Sequence, residues 1–274
     1  MHDFDPGPVK EPFLSLARNY PGADVYPAKL FRVEWGPIFH RGRLDGTAKI
    51  LVVGQDPGQH ESAARRILVG EAGQRVQGFL AKLGIETSYV MVNAMLYSVY
   101  GQPSSGDLKP IAAQIAAYRD QWFDALLGDG KIKVVVGFGG LAADAFNEWL
   151  TTPKGKQAKV TFQPLPHPTY PESSSKGNAA KKADATKAML AKWNVGLQAL
   201  DKALTKRDVK RPLVLYGEDL KPEDRSQIPE ADMPAGSPPW MRSLKTWATR
   251  TGTTPEAKRA TIEIVIPKGE RPWN

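Results

Sequence analysis

Lys49-Ile50-Leu51-Val52-Val53-Gly54-Gln55-Asp56-Pro57-Gly58 decides how this chain folds. Its first half is short, continuously apolar and rich in β-branched residues, which is the pattern of a buried strand, and Gly54, Pro57 and Gly58 end it abruptly. Three more stretches read the same way: Tyr89-Val90-Met91-Val92-Asn93-Ala94-Met95-Leu96, Lys133-Val134-Val135-Val136-Gly137, and Lys159-Val160-Thr161-Phe162, the last stopped by Pro164 and Pro166. The gaps between them carry apolar residues at helical spacing. Val76, Phe79, Leu80 and Leu83 share one face of an expected helix from Gly73 to Leu83, and Ile111, Ile115, Tyr118, Trp122 and Leu126 mark a longer one from Leu108 to Leu127. Further helices are expected from Leu141 to Leu150 and from Ala179 to about Leu204. This βαβα succession predicts an α/β fold around a mainly parallel, four-stranded sheet.

In an open parallel sheet, ligands bind beyond the carboxyl ends of the strands, where the winding direction reverses. Asp56, Asn93 and His167 all fall on or just past such ends. Gly54 and Gly58 permit tight backbone geometry around Asp56, and Pro57 fixes its own φ. An aspartate there can also serve simply as a turn or helix cap. His167 lies between Pro166 and Pro168, so its imidazole sits on stiff backbone suited to preorganised catalysis, although a lone histidine is often only a satisfied surface residue. Asn93 interrupts an apolar strand, and a buried carboxamide needs partners for one acceptor and two donors; it can pin a loop or read the edge of a flat base.

Two rival chemistries must be weighed. Gly137-Phe138-Gly139-Gly140-Leu141-Ala142 fits a Gly-x-Gly-x-x-Ala dinucleotide signature, but the following strand ends in Pro164-Leu165-Pro166-His167 instead of an acidic residue for a ribose, so these glycines read as structural. Asp56, His60, Glu61 and His167 would suit a divalent metal hydrolase, except that His60 and Glu61 fall in an expected loop with no helical spacing.

Composition narrows the field further. The 274 residues suffice for one full core plus an appendage, and the absence of cysteine excludes disulfides, thiolate catalysis and cysteine-held clusters. A net charge of +8 and a pI near 9.5 favour a polyanionic partner. The opening Met1-His2-Asp3-Phe4-Asp5 has no basic n-region or apolar h-region, and no stretch approaches the roughly 18 apolar residues of a membrane span, so a soluble, cytoplasmic protein is expected. Residues 1–45 read as an N-terminal wrap with a short helix from Phe13 to Arg18. The Pro-rich stretch from Thr205 onward still carries Trp240, Trp247 and a strand-like Thr261–Ile266, which predicts a docked extension instead of a loose tail.

Gly54-Gln55-Asp56-Pro57 and His167-Pro168-Thr169, with Asn93 between them, resemble the uracil-DNA glycosylase superfamily over about residues 45–200. The first motif resembles the Gly-Gln-Asp-Pro-Tyr of one branch. Arg66-Ile67-Leu68-Val69-Gly70-Glu71-Ala72-Gly73 is similar to the Arg-Pro-Phe-Val-Gly-x-Ala-Gly of an iron–sulfur branch, whose cluster this cysteine-free chain cannot hold. The resemblance implies a three-layer α/β/α domain over residues 1–204, with residues 205–274 as the extension, acting as a monomer on uracil-containing or related damaged DNA without metal or cofactor. It implies that Asp56 orients or activates a water, helped by the Pro57 carbonyl. The Gln55 N–H and His167 stabilise charge on the departing base, Asn93 reads the base edge, and Thr169 holds a phosphate. Tyr170, or failing it Pro171, would fill the gap left by a flipped nucleotide, unless Tyr170–Lys176 is only an ordinary exposed loop; Lys176, Lys181, Lys182 and Lys187 would either meet phosphates or form a solvated helix face.

Two departures bear on substrate. Gly58 stands where the first branch has the Tyr that excludes thymine, and Leu68 stands where an aromatic stacks on the base. A wider, less aromatic pocket predicts a range beyond uracil, to deaminated purines or C5-modified uracils. A non-cleaving uracil-DNA-binding protein of the same fold is the alternative, but its Arg-rich, His-bearing loop is not evident in Tyr100–Gly106.

Overall fold

Alternation along each strand explains how the sheet is sandwiched in the computed structural model, which describes residues 4–101, 105–254, 257 and 260–271. Gln102, Pro103 and Ser104 of the loop just named, and the first three residues, lie outside the described residues. Strands β1 (Arg41–Gly42), β2 (Ile50–Gly54), β3 (Tyr89–Asn93), β4 (Val134–Phe138) and β5 (Thr161–Leu165) form one sheet in the order β1-β3-β2-β4-β5. The last four run parallel, and β1 pairs antiparallel with β3.

The helices are α1 (Phe13–Arg18), α2 (Gln59–Ala64), α3 (Glu71–Lys82), α4 (Ser105–Leu108), α5 (Ala112–Leu127), α6 (Gly140–Leu150), α7 (Pro153–Gln157), α8 (Tyr170–Ser175) and α9 (Ala179–Ala203). Leu51, Val53, Val90, Val92 and Val135 point to one face and pack with Phe13 of α1, Trp122 and Phe123 of α5, and Phe146 of α6. Ile50, Val52, Met91, Val134, Val136 and Phe138 point to the other, against Val76, Phe79 and Leu80 of α3 and Leu190, Trp193 and Leu197 of α9. Successive strand side chains thus feed two separate cores, giving three layers, α/β/α.

The sheet has five strands where four were expected. β1 is two residues, Arg and Gly, with no β-branched signal, and Gly42 (φ +96°) is required because a Cβ there would lie 2.4 Å from the Tyr89 carbonyl. β5 runs through Pro164, further than the proline suggested; at a sheet edge with a single partner strand, a missing N–H is tolerated. The segments holding His60–Glu61 and Tyr170–Ser175 are helices, not loops. α5 starts at Ala112, behind a single 3₁₀ turn that contains Pro110.

Beyond α9 the extension lies against the body. The buried Asp232 carboxylate accepts from Arg41 at 2.9 Å, from Arg43 at 2.8 Å and from the Tyr89 hydroxyl. Asp208 collects the N–H groups of Glu86, Thr87 and Ser88 at 2.8, 2.8 and 2.9 Å, together with the Lys49 ammonium at 2.8 Å. These donors hold its carboxyl well below the usual aspartate range against the opposing effect of burial. Strands β6 (Ala248–Thr249) and β7 (Glu263–Ile264) form a small antiparallel pair, shorter than Thr261–Ile266 suggested.

Candidate active site

The winding of the sheet reverses between β2 and β4: the chain steps from β2 outward to β3, then returns past β2 to β4. A crevice of about 980 Å³ opens at the carboxyl ends there. Gln55, Asp56 and Gly58 enter it after β2, Gly139 and Gly140 after β4, Pro166, His167 and Thr169 after β5, with Leu68, Tyr170 and Lys192 on the walls.

Gln55 is locked in place. Its carbonyl accepts from Met95 N–H at 2.8 Å, and its side-chain Oε1 accepts from Leu141 N–H at 3.3 Å. A Cβ on Gly139 (φ +98°) would fall 2.4 Å from that oxygen. The Gly-x-Gly sequence therefore makes room for the Gln55 carboxamide, and nothing in this contact calls for a dinucleotide.

Asp56 keeps some accessible surface in the crevice, while one carboxyl oxygen accepts from Val99 N–H at 3.3 Å. Burial raises its pKa to about 7; the Glu61 charge adds to the rise, while the Val99 bond and the Arg250 charge oppose it. His167 directs Nδ1 inward: Thr169 N–H donates to it at 3.3 Å, and the Thr169 hydroxyl lies 3.1 Å away. With Nδ1 accepting, the neutral ring carries its proton on Nε2, a tautomer inferred from this bond. Burial lowers the pKa of His167 to about 4, with Arg75 adding to the fall and Glu61 opposing it, so the imidazole stays neutral at physiological pH.

The histidine loop is braced from both sides by residues the motifs did not reveal. Arg75 of α3 donates to the Pro168 carbonyl at 2.6 Å and pairs with Glu172 and Glu71. Trp193 of α9 donates to the Pro166 carbonyl at 3.1 Å. Each depends on packing between distant helices, which leaves no local signal in the sequence.

Glu61 and His60 have other work than metal binding. The Glu61 carboxylate accepts from the N–H groups of Gly58 at 2.9 Å, Val69 at 2.9 Å and Gly70 at 3.1 Å, closing the loop around the crevice. His60 Nε2 accepts from Ala248 N–H at 3.3 Å, and its ring stands edge-on to Trp247. Both line the crevice, yet among the described residues no three or more His, Asp or Glu side chains are grouped so that they could hold a metal ion.

Several other expected contacts fall elsewhere. Asn93 does not line the crevice, because β3 flanks β2 on the side away from β4; it lines a small cavity with Tyr118, Arg119 and Trp122, and its buried Oδ1 has no hydrogen-bond partner. Leu68 lines the crevice in a left-handed conformation (φ +52°), strained for a branched side chain. A Cβ on Gly54 would meet both the Asn93 oxygen and Leu68, so the two crowd one spot. Pro57 is buried and outside the lining. Tyr170 is 47% exposed at the rim, whereas Pro171 is buried and cannot act as a wedge. Lys176 and Lys181 are exposed but off the crevice lining, Lys182 pairs with Glu172 at 3.1 Å and Lys187 with Glu218 at 2.6 Å. Lys192, Thr246 and Arg250 take crevice positions that no motif marked.

The model of the uracil DNA glycosylase superfamily matches residues 41–193, more than half of the chain. The chain belongs to the uracil-DNA glycosylase superfamily. No curated protein matches it. The matched superfamily segment starts at β1 and stops within α9, so it contains the whole sheet together with Asp56, Arg75 and His167, and leaves out Thr246 and Arg250. Membership makes this a glycosylase-type, DNA-binding protein. Among the described residues no helix is long and apolar enough to cross a membrane.

Proposed function

We propose that the chain hydrolyses the N-glycosidic bond of uracil in DNA and leaves an abasic site for repair. The observation that carries this reading is the pairing of a carboxylate and a fixed neutral imidazole in one crevice, Asp56 after β2 and His167 after β5. Breaking the bond builds positive charge on the sugar and negative charge on the base. Ionised Asp56 stabilises the sugar cation and orients the attacking water, while His167 donates from Nε2 to the developing base oxyanion, together with the Gln55 N–H. His167 serves as a neutral donor, because burial keeps it from taking up a second proton until about pH 4 while Nε2 still carries its own.

The target nucleotide must leave the duplex to reach this floor, and exposed Tyr170 at the rim fills the gap. Thr169, oriented by His167, meets the flanking phosphate. Asn93 reads the base edge only after Leu68 shifts, since Leu68 and not Asn93 lines the crevice. Gly58 and the aliphatic Leu68 leave the pocket wide, which favours a range extending to other deaminated or modified bases. On this reading residues 1–204 are the catalytic domain of a cytoplasmic monomer, and residues 205–274 are its docked extension.

The test is a fluorescent oligonucleotide carrying one uracil, single- and double-stranded, incubated in EDTA and then treated with alkali. Strand scission by wild type, strongly reduced in Asp56→Asn and His167→Ala, is the expected result. A retarded, alkali-resistant complex without scission would instead indicate a binding protein, and loss of scission in EDTA alone would indicate a metal hydrolase.

A further inference from the structure

The crevice has one wall that the superfamily match does not include. Thr246 and Arg250 line it, and both belong to the extension. They are held there by what lies between them. Trp247 is 1% exposed, with its ring edge-on to His60 at 4.8 Å between centroids and to Trp240 at 5.2 Å. Its Nε1 donates to the Met241 carbonyl at 3.1 Å, and its own carbonyl accepts from Val265 N–H at 2.9 Å, across the β6–β7 pair. Ala248 then donates its N–H to His60 Nε2 at 3.3 Å. His60 sits in the first turn of α2, four residues after Asp56, so the arm is fastened to the element that begins where the Asp56 turn ends.

An arm that only covered apolar surface around His60 would need nothing charged at the crevice. This one places an exposed guanidinium there, and Arg250 makes no ion pair with a carboxylate among the described residues. Its charge is felt at Asp56. From α9, Lys192 supplies a second exposed ammonium to the same lining. Of the other lysines along α8 and α9, Lys182 is paired with Glu172 and Lys187 with Glu218, while Lys176 and Lys181 lie off the crevice lining. Two cations with no ion pair among the described residues, around a crevice whose floor holds a carboxylate, do not suit an anionic group at the reacting centre. They suit one at the rim, which is where the backbone of a strand delivering a nucleotide must run.

We infer that the C-terminal arm is part of the DNA-binding face: Arg250, together with Lys192, holds a phosphodiester of the strand that carries the extruded nucleotide. This rests on the glycosylase reading above. Phosphate contact fixes the register of the strand over the crevice without reading sequence. It gives the arm around Thr246 and Arg250 a function beyond packing, and it assigns DNA contacts to a segment outside the superfamily match.

The experiment is fluorescence anisotropy of the full-length protein on a labelled duplex bearing a tetrahydrofuran abasic-site analogue, titrated at several salt concentrations. Arg250→Gln is expected to weaken binding about fivefold, the loss of one exposed ion pair, and to lower the salt slope by about one. Arg250→Glu weakens it further, and Arg250→Gln with Lys192→Gln lowers the slope by about two. Lys159→Gln, at the amino end of β5 and so on the opposite edge of the sheet, binds as wild type. Arg250 is exposed, so thermal unfolding of its variants should match wild type. Unchanged affinity and slope in both Arg250 variants would overturn the inference and reduce the arm to packing. Excision of uracil is measured on the same preparations. A wild type that binds and never excises overturns the glycosylase reading, while the Arg250 comparison still decides the role of the arm.

Discussion

The Oε1 atom of Gln55 lies 2.4 Å from where a Cβ on residue 139 would stand, so the loops after β2 and β4 fit together only because residue 139 is glycine. Gly139→Ala must displace the Gln55 side chain and also bear a left-handed backbone, at a cost of about 1–3 kcal/mol. Urea unfolding should show that loss, and excision should fall at least about tenfold because Gln55 shifts beside Asp56. Adding Gln55→Ala should restore part of the stability lost in Gly139→Ala, a coupling that a double-mutant cycle reads directly. Additive losses would mean the two residues do not interact.

Asp56 sets the acid limb of the pH profile. Its pKa is raised to about 7, so the ionised form that the reaction needs is complete only above that pH, and kcat/KM should fall about tenfold per unit below it. His167, lowered to about 4, adds no second limb between pH 5 and 7. Stability follows the opposite course. A carboxyl whose folded pKa lies above its unfolded value of 3.8 contributes stability that is present at low pH and lost as pH rises through about 7. Asp56→Asn should therefore raise Tm over wild type at pH 8 and leave little difference at pH 4. A flat rate profile from pH 5 to 8 would refute this assignment.

Leu68 adopts φ +52°, where glycine is unstrained and leucine is not. Leu68→Ala removes buried apolar volume and keeps the strain, costing about 2–4 kcal/mol. Leu68→Gly removes more of the side chain but relieves the backbone, so it should cost no more than Ala, reversing the usual order by about 1 kcal/mol. Chemical denaturation of the two variants decides it. A glycine variant clearly weaker than the alanine variant would show that the backbone is not strained there.

Gly58 links specificity to structure. A Cβ at this position would approach within 2.8 Å of Glu61 Oε2, the atom that holds the Gly58 N–H. Gly58→Tyr should narrow the range measured on inosine, xanthosine and thymine-mismatch duplexes, as a smaller pocket requires. It should also slow uracil excision severalfold, because Glu61 must release one of its three N–H donors. Strict uracil-only cleavage by wild type would remove the basis for a broad range.

The parts of this protein legible in its sequence are those with local signals. The β-branched runs marked β2, β3 and β4, with glycine ending the first and third of them, and the apolar spacing of Val76, Phe79 and Leu80 marked α3. β1 was not legible, since Arg41 and Gly42 carry no strand propensity and pair only because β3 offers an edge. α2 begins at Gln59 with no apolar stripe, and it is held by the reach of Glu61 back to Gly58 and on to Val69 and Gly70, contacts made after folding. Asn93 was read onto a strand end correctly but assigned to the crevice, because motif order along the chain does not encode strand order in the sheet. Arg75 and Arg250 reach the site only through tertiary packing, and a single arginine in a helix or a Pro-rich tail has no local mark of that role.

A crevice that hydrolyses a glycosidic bond, instead of merely holding a base, must release that base. The most direct measurement is the free base itself, quantified by mass spectrometry beside the abasic sites formed when excess uracil-containing oligonucleotide is incubated with wild type and with Asp56→Asn in EDTA. Free uracil and abasic sites are expected in a one-to-one ratio, several per protein molecule, and almost none with Asp56→Asn. Uracil that stays in the DNA, or is lost only to the extent of one protein-bound adduct per molecule, would contradict it.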